Sequence, residues 1–253
     1  MPQPSCLFYG EVRDAFGVPY LEGADVILRV DGRECSRWPV LGILAPGVNF
    51  KLALELDAGS GTPYAAYAAR PGQEVRLSVL TRGDERPIAE TRALAAGRPG
   101  DLIGIYVSTG TDADGDGLPD EWEQQLIENS GGLLHDLGEV RPGDDLDGDG
   151  VSNLDEYRAG TYAFLADDFL AIEELATVAG GRLRLRFLTT RGMTYRVYAA
   201  NQIAGEVNWE PQRFALSESD ALLPHDALVG DGFYVAIYVA IREDHQFYRL
   251  LAQ

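Results

Sequence analysis

Residues 49–56 read NFKLALEL. Phe50, Leu52, Leu54 and Leu56 fall on one face, while Lys51 and Glu55 fall on the other. A period of two marks a half-buried strand rather than a helix. The same period recurs outward along the chain. Ala24–Val30 aligns Val26, Leu28 and Val30, Glu74–Thr81 aligns Val75, Leu77 and Val79, and Leu102–Val107 closes the series. Gly, Pro and Asp punctuate the stretch from Cys6 to about Thr109, which predicts an all-β domain.

A second β region is expected from about Asp168 onward. Arg182–Leu188 alternates Leu183, Leu185 and Phe187 with Arg184 and Arg186, and Thr194–Ala200 and Gln246–Leu251 read as further strands. Phe233–Ile241, written FYVAIYVAI, is apolar on both faces. It is expected as a central strand covered on both sides or, alternatively, as a strand that meets a neighbouring subunit. It is far shorter than the ~20 residues with which a helix crosses a bilayer.

Composition narrows the function. The 253 residues carry 40 Asp and Glu against 21 Lys and Arg, a formal net charge of -19. That sign opposes an electrostatic grip on nucleic acid or anionic lipid, so neither nucleic-acid binding nor membrane insertion is expected. The charge is uneven: residues 111–160 hold 15 acidic side chains and two arginines. Cys6 and Cys35 fit either one disulfide or two reduced core thiols. Met1 opens no charged-then-apolar leader, so export is expected either of a processed form or by another route.

The acidic stretch contains TDADGDGLPDEWE at 111–123 and DLDGDGVSNLDEY at 145–157. Both fit the twelve-residue calcium loop D-x-[DN]-x-[DN]-G-x5-E. In the first, Asp112, Asp114 and Asp116 take positions 1, 3 and 5. Gly117 makes the turn, Leu118 offers its carbonyl, Asp120 stands at position 9, and Glu123 closes at position 12. In the second the same roles fall to Asp145, Asp147, Asp149, Gly150, Val151, Asn153 and Glu156. Calcium takes six to eight hard oxygen ligands, and alternate residues of a tight loop aim their carboxylates at one centre. Two calcium ions are therefore expected. Asp120–Asn129 can form the helix leaving the first loop, with Trp122 and Leu126 on one face. Only Ser108–Thr111 separate that loop from the preceding strand, so the entering helix of a sensor EF-hand is missing.

Two resemblances follow from these residues. Gly10-Glu11-Val12-Arg13-Asp14, Gly17-Val18-Pro19 and Gly23-Ala24-Asp25-Val26 together resemble the first hairpin of the carboxypeptidase-regulatory-like, or Cna-B-like, β-sandwich. That resemblance implies a rigid spacer or adhesive unit. The paired acidic loops are similar to the EF-hand-like thrombospondin-type-3 and dockerin-like calcium loops of secreted bacterial multidomain proteins. Thr194-Tyr195-Arg196-Val197 and Phe247-Tyr248-Arg249 resemble the small C-terminal sandwich that follows such loops. Positions 10 and 11 hold Glu121 and Trp122, then Leu154 and Asp155, where dockerins use small polar residues to bind cohesin. Partner binding of the dockerin kind is accordingly not expected.

No nucleophile elbow, P-loop, H-E-x-x-H or C-x-x-C occurs, and His135, His225 and His245 share no ligand spacing, so no enzyme and no catalytic residue is expected. Tyr20, Trp38, Tyr64, Tyr67, Trp209, Tyr234 and Tyr238 are the aromatic residues available for stacking on a sugar. The expected architecture is mainly β, with a β-sandwich at 1–109, a double calcium-loop hinge at 110–163 and a second sandwich at 164–253. The expected function is an extracellular or cell-surface structural or adhesive protein whose hinge calcium rigidifies. Self-association into a homo-oligomer or fibre is part of that expectation. The alternative is a carbohydrate- or protein-binding accessory module of a secreted enzyme.

Overall fold

The computed structural model describes residues 2–57, 59, 61, 65–90, 93–242 and 247–252. Tyr64, His245 and Gln246 lie outside them. The fold is mainly β, with several sheets of the sandwich kind. Contacts divide the chain into two compact units: Met1–Asp144 with Ser152–Leu154, and Asp145–Val151 with Asp155–Gln253. The acidic stretch is shared between them.

The first unit holds strands β1 (Pro2–Arg13), β2 (Ala24–Val30), β3 (Arg33–Pro39), β4 (Phe50–Asp57), β5 (Glu74–Thr81), β6 (Asp84–Pro87), β7 (Leu94–Ala95) and β8 (Leu102–Ser108). One sheet runs β4-β1-β8 and the other β3-β2-β5-β6, with β7 also on β5. Phe8, Phe50, Leu52, Leu54, Leu56, Val26, Leu28 and Val79 of the two sheets share one core and are fully buried. This is the inward half of the alternation read from the sequence, and its burial drives the two sheets together. β1 is antiparallel to β4 but parallel to β8, from Leu7 opposite Leu102 to Arg13 opposite Ser108. A Cβ on Gly10 would meet the Ile105 carbonyl oxygen at 1.6 Å, so only glycine lets the strands approach there.

Polar side chains fix the loops at the end of β1. The Asp14 carboxylate accepts from the Phe16 and Val18 amides at 2.9 and 3.0 Å, tying the turn that follows the strand. The fully buried Asn49 accepts from the Val12 amide and donates to the Val12 and Tyr20 carbonyls. Cys6 and Cys35 are free thiols, the first buried and the second half-buried.

Helix α1 (Asp120–Asn129) and a 3-10 turn (Leu137–Glu139) follow in the same unit, and helix α2 (Asn153–Ala159) comes next in the chain. The second unit carries β9 (Glu174–Val178), β10 (Arg182–Leu188), β11 (Thr194–Ala200), β12 (Glu210–Gln212), β13 (Phe214–Ala215), β14 (Leu228–Val229), β15 (Tyr234–Ala240) and β16 (Phe247–Ala252). Its sheets run β13-β15-β10-β9 and β12-β11-β14, with β16 pairing β11. Leu185, Phe187, Met193, Tyr195, Val197, Phe214, Ile237 and Val239 form the core, and Ala159 of α2 packs into it.

β15 departs from the expected two-sided burial. Ile237 and Val239 face the core, but Phe233 is 71% exposed and Tyr234 47%. The register explains why: Arg184 stands opposite Tyr238 and Arg186 opposite Ala236, so the outer face is lined by arginines. Arg186 lies 4.1 Å from the Tyr234 ring centre, and the Tyr234 hydroxyl donates to Glu173 at 2.6 Å. Charged heads that need water cap this face where a second apolar layer would otherwise sit.

Candidate metal centres

The first acidic loop leaves β8 without an intervening helix. The Thr109 amide donates to the Arg13 carbonyl and the Gly110 amide to the Pro87 carbonyl, so the loop starts pinned to the sandwich. Asp112 then gathers the turn, accepting from the amides of Gly115 (2.7 Å), Asp116 (3.2 Å) and Gly117 (3.1 Å). Gly115 and Gly117 have φ of 77° and 99°, a left-handed backbone that side chains resist. Asp116 accepts from the Leu118 amide at 3.0 Å, and Leu118 is fully buried. As a result, one carboxylate oxygen from each of Asp112, Asp114 and Asp116 lies within 4.8 Å of the others. Asp120 turns back instead, accepting from the Ala113 amide and the Thr111 hydroxyl.

Helix α1 supplies the closing carboxylate. Trp122 and Leu126 bury one side of it, which fixes Glu123 on its first turn. Glu123 is wholly buried and neither of its oxygens has a hydrogen-bond partner. Burial, followed by the charges of Asp114, Asp116, Asp120 and Asp112, pushes its carboxyl up to about 8. Arg86 of β6 pairs with Glu121 across 35 positions of sequence, and Glu121 also rests on Gly110.

The second loop repeats the arrangement, with Asp145–Val151 belonging to the second unit and Ser152–Leu154 to the first. Asp145 accepts from the Gly148 and Gly150 amides at 2.8 and 2.9 Å, and Asp149 from the Val151 amide at 2.7 Å. Gly148 and Gly150 have φ of 79° and 96°. Asp145, Asp147 and Asp149 again bring three carboxylate oxygens within 4.8 Å of one another. Glu156 is wholly buried with both oxygens unpartnered, and burial, then Asp147, Asp149, Asp145 and Asp168, pushes it up to about 8. Asn153 donates from Nδ2 to the Arg141 carbonyl at 2.8 Å, which leaves its buried Oδ1 without a partner.

Among the described residues, the buried and unpartnered side-chain polar atoms concentrate here. Glu123, Glu156, Asp147, Asp149 and Asn153 supply them, and outside the predicted ligands only Gln3, Glu11, Glu121 and Arg184 contribute one each. A buried carboxylate without compensation costs about several kcal/mol, so native proteins pair it or place it on a cation. The donors are hard oxygens arranged around a turn, a set that suits calcium better than a metal seeking nitrogen or sulfur. Asp120 stands apart from the carboxylate triplet, both of its oxygens being held by Ala113 and Thr111 at the start of the loop.

Sequence reading did not foresee the pair of Arg86 with Glu121 or its contact with Gly110, since no local pattern ties β6 to α1. His135 is exposed, and its amide donates to Glu139; His225 stacks on Phe214 with ring centres 5.9 Å apart. In the second unit Arg249 lies 4.8 Å from the Trp209 ring centre and 5.8 Å from that of Tyr198. No family model, curated protein or solved structure matches the chain.

Proposed function

We propose that this protein is a non-catalytic, calcium-binding structural or adhesive protein of the cell surface or extracellular space. Asp112, Asp114, Asp116, the Leu118 carbonyl and Glu123 hold one ion, with Asp120 at position 9 acting through a water, and Asp145, Asp147, Asp149, the Val151 carbonyl, Asn153 and Glu156 hold the other. The observation that carries the reading is the pair of wholly buried glutamates at the twelfth loop position, whose four oxygens are all unpartnered. A divalent cation supplies the charge that each lacks. Calcium then turns an acidic segment that repels itself into a stiff connection between two β units. Outside cells a dissociation constant of ~10⁻⁴–10⁻³ M suffices for such a role.

The resemblances of the N-terminal hairpin and the paired loops to surface-protein modules support the same reading. A sugar-stacking role is less well supported, because arginine already covers the rings of Trp209 and Tyr234. The deciding experiment is calorimetric titration with calcium, alongside thermal melts in calcium and in EDTA. The parent should bind two ions and melt higher in calcium. Glu123→Gln combined with Glu156→Gln should bind neither ion and melt alike in both buffers. Equal melting of parent and double variant in calcium would reject the ligand assignment.

A further inference from the structure

The ninth residue is used differently in the two acidic loops. Its backbone does the same in both, closing on the residue before the loop: the Asp120 amide donates to the Thr111 carbonyl and the Asn153 amide to the Asp144 carbonyl, each at 2.8 Å. The side chains then part. Asp120 accepts from the Ala113 amide at 2.7 Å with one oxygen and from the Thr111 hydroxyl with the other, so its carboxylate is held at the entrance of the loop. Asn153 carries a donor as well as an acceptor. Its Nδ2 donates to the Arg141 carbonyl at 2.8 Å, and its Oδ1 is buried without a partner.

The residues around each loop explain the difference. Thr111 offers a hydroxyl to the carboxylate at position 9, whereas the equivalent place before the second loop is Asp144, whose carboxylate only accepts. A carboxylate at 153 would also face the Arg141 carbonyl with no proton to give it. Asparagine satisfies that carbonyl and keeps an oxygen over. The surroundings agree: Asp147 and Asp149 each have a buried, unpartnered Oδ2, whereas among the described residues no aspartate of the first loop has one, and Asp114 is exposed. The second site is the more enclosed.

We propose that the two sites differ in hydration and therefore in the ions they accept, with position 9 as the determinant. The inference rests on the calcium reading above and adds ion selectivity to it. The first ion has five protein groups and keeps a water between itself and Asp120. The second has a sixth group, the Asn153 amide oxygen, and keeps at least one water fewer. Calcium takes its oxygen ligands in flexible geometry, while magnesium gives up its waters reluctantly. Magnesium therefore competes at the first loop, where a water stays on the ion. The second loop rejects it, because binding there demands that more of the hydration shell be shed. The chain thus carries one site that exchanges with the surrounding divalent cations and one committed to calcium.

The test places europium in the calcium sites of the full chain and compares its luminescence decay in light and heavy water, which counts the waters on the ion. Glu156→Gln confines the ion to the first loop and Glu123→Gln to the second. The first loop should carry at least one more water than the second. Asp120→Ala should not raise the first-loop count, as loss of a direct ligand would, whereas Asn153→Ser should raise the second-loop count by one. Calcium titration of the two glutamine variants in excess magnesium should show binding weakened at least about tenfold at the first loop and unchanged at the second. If Asn153→Ser misfolds, the counts in the two glutamine variants decide. Equal hydration of the loops, a first-loop count that rises in Asp120→Ala, or equal competition by magnesium at both loops would each overturn the inference. Two bound ions of equal hydration overturn this inference alone. A chain that binds neither europium nor calcium overturns the calcium reading on which it rests.

Discussion

The two acidic loops share ligand spacing, left-handed glycines and a buried closing glutamate, yet they are rooted in different ground. The first is held near both ends by the N-terminal sandwich, through the Gly110 amide on Pro87 before it and its tenth residue, Glu121, on Arg86. The second continues into the C-terminal unit, where Ala159 enters the core and a Cβ on Gly160 would lie 3.5 Å from Met193. The comparison shows that the turn of each acidic loop is specified locally, by its aspartates and glycines, while the unit its exit helix joins is set by contacts far along the chain.

The sharpest way to break the comparison is to silence one loop at a time. Glu123→Gln and Glu156→Gln should each reduce calcium stoichiometry from two to one. Each should remove about 2.7 kcal/mol of stabilisation at a hundredfold excess of calcium over its dissociation constant. Differential scanning calorimetry should assign the first loss to melting of the N-terminal unit and the second to the C-terminal unit. Equal effects on both transitions would show that the loops share one anchor.

Proton linkage is the next largest effect. Both glutamates have folded-state values raised from 4.5 to about 8. Without metal, the folded state therefore gains from their protonation below about 4.5, and the gain is lost as pH rises through about 8. Melting temperature in EDTA should fall between pH 5 and pH 9, while in saturating calcium this fall should vanish. A flat profile in EDTA would mean that the carboxylates are not buried as described.

Smaller effects separate the anchors. A Cβ on Gly110 would come within 2.4 Å of the Glu121 carboxylate at a φ of 126°, so Gly110→Ala should cost about 1–3 kcal/mol by urea unfolding. Gly143, before the second loop, has nothing within 4 Å of such an atom, and Gly143→Ala should change stability by about 0.5 kcal/mol or less. Arg86→Ala should cost at most about 1 kcal/mol, because both partners of its ion pair are partly exposed. It should weaken calcium binding at the first loop and leave the second unchanged, with Trp122-sensitised terbium emission as the readout for the first.

Strands such as Ala24–Val30, Glu74–Thr81 and Arg182–Leu188 were legible because each declares itself within eight residues by alternation. The acidic triplets were legible for a similar reason, since Asp, Gly and Glu at fixed offsets leave little latitude in a twelve-residue turn. Phe233–Ile241 was legible as a central strand, and β15 does lie between β13 and β10, but its outer face was read as covered because no local window contains Arg184 and Arg186 of the neighbouring strand. The ion pair of Arg86 with Glu121 and the parallel pairing of β1 with β8 join residues far apart in sequence, so no local window contains them.

That parallel pairing also has a consequence in time. β4 can meet β1 once the first half of the N-terminal unit has left the ribosome, but β1 keeps an open side until Leu102–Ser108 emerge. Closing so long a loop is slow compared with forming a hairpin. The N-terminal sheet is thus completed by its last strand, immediately before the first acidic loop is synthesised, and the order of translation delivers a finished platform to the loop that rests on it.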